Sequence, residues 1–348
     1  MPISTVNNAS FADTAVHGRR NLIINGAMQV AQRGTSFANP ADGTYSLDRM
    51  LIFNGNDGAT TITQDTTVPS GEGFTQSMKF DCTTIDGTIA AGQYLTLSHK
   101  IEGYNHAVLG YGTSGAKSIT ISFYAKSNLT GTFCYSVRNN DVDRAYIKEF
   151  SLTSADVWER VSFTIPGDTS GTWLTTNGTG SIHQITLSIG STYQGTANQW
   201  NSSNVVATSN QVNFLSSTDN EFFVTGWQVE LGSQATPFEH RSFGEELALC
   251  QRYYELLYTM DGCHAGTFGG WSHENRQCVP HYKVRKRAVP TITFVNYSTN
   301  ISGTPWVTRD FQTVATQDCF KFNSRFFATN EYIYIDRPEG SVTADAEL

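Results

Sequence analysis

The sequence predicts a mainly β protein: an antiparallel jelly-roll β-sandwich, one linking α-helix and a smaller C-terminal antiparallel β domain. Three observations carry this. Charged residues make up only 16% of the chain, well below the usual quarter, and Thr, Ser, Asn, Gln and Gly supply the polarity instead, as short strands and turn-rich loops require. Nine or so short alternating segments, with no helix pattern between them, fill about 200 residues, which argues for antiparallel sheets over βαβ units. A capping box then opens a helix, and strand patterns resume after it. At 348 residues the expected division is an arm at 1–20, the sandwich at 21–240, the helix at 241–260 and the second β domain at 261–348.

Residues 1–20 hold scattered small and polar residues and few anchors, so they order only against a partner or stay loose. Structure starts at Asn21, with an apolar run from Leu22 to Ile24 and an Asn25-Gly26 turn. The strand candidates that follow are Arg49–Phe53, Thr60–Asp65, Gln76–Cys82, Gln93–Ile101, Ser118–Ser127, Gly131–Arg138, Tyr146–Leu152, Glu159–Ile165, Ser181–Gly190 and Glu221–Leu231. Ile119, Ile121 and Phe123 alternate cleanly with Thr120, Ser122 and Tyr124. Residues 221–231 are apolar on both faces, as a central strand is. Pro237 keeps Thr236 extended, and Ser242 with Glu245 forms the capping box. The expected helix carries Phe243, Leu247, Cys250, Tyr254 and Leu257 on one stripe and Leu249, Tyr253 and Leu256 on a second. Apolar stripes on two sides imply cover on two sides, either within the chain between its two β units or in an obligate homo-oligomer; the expectation is the oligomer, a trimer, with Phe243, Leu247, Leu249, Cys250, Tyr253 and Tyr254 as its assembly residues.

Composition also excludes. The net charge of −8, with no large basic stripe, disfavours nucleic acid. Lys283, Arg285, Lys286 and Arg287 read as a solvated strand face. No basic region precedes an apolar run at the N-terminus, so no signal peptide is expected, and no uninterrupted apolar stretch is long enough to span a membrane. The six cysteines match neither a disulfide framework nor a CxxC pair.

No GxSxG, HExxH, P-loop or dinucleotide fingerprint is present, and no enzyme is expected. Cys263, His264, His273, Cys278 and His281 match no zinc spacing. Asp141, Asp143, Asp156 and Glu159 are the carboxylates a glycosidase reading would test. Asp42, Asp48, Asp57 and Asp81 sit among Gly and Asn residues that could ligate a structural calcium, the one cofactor the sequence leaves open. The better-motivated feature is aromatic. Trp173, Tyr193 and Trp200 lie in two long polar loops, beside Asn177, Asn198, Gln199 and Asn201. Rings with amide neighbours stack on sugars and bond their hydroxyls, so these three are the candidate carbohydrate-binding residues; the plainer alternative for each is a loop anchor folded onto the sandwich.

Two blocks of the chain resemble a known module. RRNLIINGAMQVAQRGTS (19–36), followed by YSLDRM (45–50), is similar to the start of a domain found in tail-fibre and other virion proteins of marine phages. GWQVELGSQATPFEHRSFGEELALCQRYYE (226–255) is similar to its end, and VRKRAVPTITF (284–294) to the region that follows. The resemblance spans roughly residues 19–295 and is anchored at its ends. It implies a jelly-roll, carbohydrate-binding-module-like domain on a virion and does not itself imply a defined active site; the cysteines and the lack of a signal peptide add the expectation that it is made in the host cytoplasm. With only about 20 residues ahead of the module, the expected role is a short tail fibre or appendage adhesin that contacts host surface glycan, its N-terminal arm docking on other virion proteins. A purely architectural head-decoration or tail-adaptor role is the alternative, and a polysaccharide depolymerase ranks behind both.

Overall fold

The computed structural model describes residues 20–257, 275–295, 298–300, 312–325, 332–334 and 341–348. They form two compact units, one running to Phe243 and including Leu348, the other Gly244–Glu347. The first is the predicted sandwich. Its strands are β1 (Ser36–Ala38), β2 (Thr44–Tyr45), β3 (Leu51–Gly55), β4 (Ala59–Asp65), β5 (Ser77–Thr84) and β6 (Tyr94–Glu102). A one-turn helix α1 (Gly103–His106) precedes β7 (Ile119–Ser127), β8 (Gly131–Arg138), β9 (Ala145–Leu152) and β10 (Glu159–Ile165). The last three are β11 (Thr179–Ile189), β12 (Trp200–Asn201) and β13 (Glu221–Leu231). One sheet has the order β1-β4-β5-β13-β7-β10 and the other β12-β9-β8-β11-β6-β3-β2. Every pairing within them is antiparallel. The fold is thus an antiparallel jelly-roll sandwich, with β13 central in its sheet as its two-sided apolar pattern requires.

Alternation puts one face of each strand between the sheets. Ile119, Ile121, Phe123, Val224, Trp227 and Val229 from one sheet meet Leu95, Leu97, Phe133, Tyr135, Val137 and Ile185 from the other in a single core. Trp227, fully buried, links the layers through a polar chain. Its indole N–H donates to the Tyr135 hydroxyl (3.1 Å), which lies 2.8 Å from His183 Nδ1, and His183 Nε2 lies 3.1 Å from Ser181 Oγ. With Tyr135 donating onward, Nδ1 is the acceptor and Nε2 carries the proton. Burial pushes His183 down to about 3, so the ring stays neutral and the chain remains satisfied.

The two resemblance blocks meet in space. Asn21, fully buried, accepts from the backbone N–H groups of Ile23 (2.9 Å) and Val229 (3.0 Å) and donates to the Trp227 carbonyl (3.0 Å). Leu22 N donates to Val229 O and Trp227 N to Gly26 O, both at 2.9 Å. Gly26 is obligatory there, since a Cβ would lie 2.1 Å from the Trp227 carbonyl oxygen. Glu239 accepts from the N–H groups of Arg20 and Asn21, each at 3.0 Å, and from Arg241 at 2.9 Å. Burial alone would raise the Glu239 carboxyl, but those two amides and the Arg241 charge outweigh it and hold it below the ordinary range. At the middle of β13, Gly226 (φ +66°) marks a register shift between Thr225 and Gln228, and the Phe74 ring occupies the space its side chain would need.

The second unit departs from expectation in two places. The helix α2 starts at Phe243 as the capping box predicts but ends at Gln251, not near residue 260. Tyr254–Leu257 form strand β14, paired with Ser341–Asp345 in register Tyr254↔Asp345 to Leu257↔Val342. The sequence Tyr-Glu-Leu-Leu fits a period of two as well as of 3.6, and strand pairing decided it. Tyr253, Tyr254, Leu256 and Leu257 therefore leave the helix, and the two-stripe basis for an obligate assembly goes with them. Cys250 is fully buried, Leu247 and Leu249 half-buried, and Phe243 56% exposed. The second correction is Lys286. It lies on no solvated face but is fully buried, its Nζ 2.6 Å from Glu255 Oε2 and 2.5 Å from the Gln251 carbonyl. Glu255 also accepts from Lys283 N, and the Tyr282 ring lies under the ammonium at 4.8 Å. Cys263, His264, His273, Trp271, Trp306 and residues 1–19 of the N-terminal arm lie outside the described residues. No helix among the described residues is long and apolar enough to cross a membrane.

Candidate functional site

The three aromatic residues singled out by sequence do not form an open platform. Trp173 is buried, its indole N–H tied to Ser170 O (3.1 Å), and it stacks on His106 with centroids 5.1 Å apart. Trp200 is half-buried in the edge strand β12, where it donates to Pro166 O (3.1 Å) and meets Trp173 edge-on at 5.6 Å. Trp173 and Trp200 thus come together, but as anchors that fold the two long loops onto the core. Tyr193 lies elsewhere, half-buried and edge-on to Tyr94 at 5.4 Å.

The carboxylates singled out by sequence are likewise dispersed and engaged. Glu159 closes its own turn by accepting from the N–H groups of Thr153 (2.7 Å) and Ser154 (3.0 Å), and Asp143 accepts from Asn139 (2.6 Å). Asp141 bonds its neighbour Asn140, and Asp156 occupies a left-handed turn position. Asp42 takes Asn54 N and the Tyr94 hydroxyl, and Asp48 takes Gln32 N and Nε2, both at 2.6 Å. Burial raises the Asp48 carboxyl against the opposing Arg33 charge and the Gln32 bonds. Asp81 faces Lys79, and Asp57 is exposed on a turn. Among the described residues no three His, Cys, Asp or Glu side chains converge as metal ligands.

Among the described residues, buried polar atoms without a hydrogen-bond partner include those of His106 and Tyr111, packed against Trp173 and Trp200, and those on the outward face of the seven-stranded sheet. Where Leu95, Leu97, Phe133, Tyr135, Val137 and Ile185 point inward, alternation turns Thr96, Ser98, Ser136, Arg138, Gln184 and Thr186 outward. The register lines up Ser98, Gln184 and Ser136 in one row across β6, β11 and β8. Gln184 donates through Nε2 to Ser98 Oγ (2.9 Å) and Thr96 Oγ1 (3.2 Å). Its Oε1, the Ser136 hydroxyl and the Arg138 Nε are buried with no hydrogen-bond partner. Each such orphan costs about 1–3 kcal/mol, and buried polar atoms in native structures are overwhelmingly paired.

The residue 193–208 loop frames this face. Val205, Val206 and Ala207 pack on Cys134, Ala145, Ile147 and Ile189, and Val206 N donates to Tyr193 O (2.8 Å) while Thr186 Oγ1 donates to Val206 O (3.3 Å). Arg138 Nη1 donates to the exposed Asn204 side chain at the rim. Beneath the surface of this face lie an acceptor at Gln184, a hydroxyl at Ser136 and a guanidinium N–H at Arg138, with the Tyr94 and Tyr193 rings beside the same loop. Alternating donors and acceptors on a rigid sheet complement a polyhydroxylated ligand. The sequence carried a trace of this face, as polar residues at every second position of TLSHK, CYSVR and HQITLS. Alternation alone reads as solvent exposure, and the burial of Ser136 and Gln184 comes only from the fold.

No family model matches the sequence, and no curated protein matches it. Solved structures do. The chain is similar to the carbohydrate-binding module CBM4 (12% identity, 60% of this chain and 97% of that one, TM-score 0.32). It is similar to a family 11 carbohydrate-binding module of a Clostridium thermocellum cellulosomal cellulase (13% identity, 59% and 98%, TM-score 0.28). A third is the enzymatically active domain of bacteriophage CBA120 tailspike protein 4 (12% identity, 58% and 22%, TM-score 0.30), of which this chain spans about a fifth. At these TM-scores the likeness assigns neither a ligand nor an activity to this chain.

Proposed function

We propose that this chain is a virion protein of a phage, a short tail fibre or appendage adhesin, whose β-sandwich contacts host surface glycan without catalysis. The virion part is supported by the resemblance of residues 19–50 and 226–255 to the two ends of one module. Those blocks interlock through Asn21, Gly26, Trp227 and Glu239, so the resemblance falls on the residues that close the domain. The glycan part rests on one observation: the orphaned polar atoms of Gln184, Ser136 and Arg138 on the outward face of the seven-stranded sheet. This reading puts the site on a sheet face and not at the loop aromatics. Trp173 and Trp200 are retained as the packing that holds the neighbouring loops.

The test is glycan-array binding by the isolated chain and its Gln184→Ala variant. Binding that falls at least tenfold in the variant, with melting unchanged within a few degrees, supports the reading. Wild-type binding by Gln184→Ala places the glycan elsewhere, and no binding to any saccharide removes the adhesive role.

A further inference from the structure

The outward face of the seven-stranded sheet holds a buried cation with neutral partners. Arg138 is 7% exposed. Its guanidinium donates to the Asn204 amide oxygen, and its Nε donates to nothing. Burial pushes it down to about 10, which still leaves it cationic at neutral pH. A desolvated charge needs a countercharge or a full set of hydrogen bonds, and Arg144 has a countercharge. Arg144, at the turn into β9, holds Asp168 in a two-pronged grip at 2.7 and 2.8 Å.

The carboxylates on the same face stand away from Arg138. Arg138 pairs in register with Ala145, whereas Glu149 lies four residues along β9, roughly 13 Å at strand rise, and accepts from Thr208 and Asn210. Glu102 ends β6 two residues beyond Lys100, in register with Thr179, and is separated from Arg138 by the width of β11. The other cation in the row is Lys100, reached through Ile182, and its ammonium is engaged by the Leu348 carbonyl (2.8 Å). Arg138 thus has donors to spare beside the unpartnered Ser136 hydroxyl and Gln184 oxygen, with the exposed Asn204 over it at the rim.

We propose that Arg138 makes this face selective for an anionic saccharide, one whose carboxylate or sulfate is taken by the guanidinium while Ser136 and Gln184 bond its hydroxyls. The proposal rests on the glycan-binding reading above and adds the charge of the ligand. Planar guanidinium matches carboxylate and sulfate oxygens with parallel N–H donors. A neutral sugar would leave the buried charge as it is.

The experiment is an array of neutral, uronate-bearing and sulfated saccharides probed with the full chain and with Arg138→Gln, Arg138→Lys and Gln184→Ala. Binding is expected in the acidic arms, and whether uronates or sulfated sugars respond identifies the anion. Arg138→Gln should weaken it at least about thirtyfold with the melting transition retained, and Arg138→Lys should recover part of the loss. Hits confined to neutral saccharides, abolished by Gln184→Ala but not by Arg138→Gln, would overturn the role of Arg138 and leave the glycan reading standing. Acidic hits that Arg138→Gln leaves unchanged would also overturn it. No hits in any arm would overturn both.

Discussion

Replacing Asn21 by Ala should destabilise the sandwich far more than its place beside the first described residue suggests. The Asn21 side chain makes three hydrogen bonds, accepting from Ile23 N and Val229 N and donating to Trp227 O. Ala leaves two N–H groups and one carbonyl without that partner, at a position 1% exposed. At about 1–3 kcal/mol for each buried group left unpaired, and allowing for some relaxation, the loss is about 3–6 kcal/mol. The desolvation of the amide itself, which Ala avoids, offsets part of this but cannot reverse it, because the three backbone groups stay buried. Against a typical total of 5–15 kcal/mol, the variant should approach the threshold of folding. Urea unfolding followed by near-ultraviolet circular dichroism, which reports the packing of Trp227, measures it. A loss below about 1 kcal/mol with an unchanged m-value would refute the claim that Asn21 joins the two ends of the module.

Two further outcomes follow from charges. Lys286→Met alone should cost about 3–5 kcal/mol by stranding the buried Glu255, whereas Lys286→Met with Glu255→Leu should recover most of it; a double-mutant cycle by urea unfolding of the chain tests the coupling, and additive losses would count against it. Glu239 titrates below its unfolded value when folded, so the unfolded chain takes up the proton first. Its stabilisation is whole above about pH 4.3 and is lost as pH falls through the folded value. Glu239→Gln should therefore flatten the acid limb of the urea midpoint against pH, and an unchanged slope would show that other carboxylates set it.

Much of the sandwich was legible because its signals are local. Alternation at Ile119–Phe123 and two-sided apolarity at Glu221–Leu231 each specify a strand without reference to the rest of the chain. The start of α2 was legible for the same reason, since a capping box acts within one turn. Its end was not, because Tyr254–Leu257 pair with residues almost ninety positions later. Lys286 shows a similar failure: four basic residues in five positions suggest solvent, and only Glu255, 31 residues away, takes one of them inside. Trp173 sits in a loop and Trp200 in the two-residue strand β12, both as anchors folded onto the sandwich; the sequence left anchor and open platform as alternatives, because a loop's sequence does not say how tightly it folds back. The outward face was hidden for the opposite reason. Ser98, Ser136 and Gln184 come from three strands whose adjacency is a property of topology.

The position of β13 has a consequence for synthesis. It lies between β5 and β7 and is the last strand of the sandwich to be made. Until residue 231 has left the ribosome, β1-β4-β5 and β7-β10 are two separate ribbons, each with a bare edge that β13 alone covers. Such edges recruit other chains. The nascent protein therefore carries its greatest risk of self-association late in translation. The same strand that completes the core then ends that exposure in one step, and it brings Trp227 and Val229 to Asn21, made some 200 residues earlier.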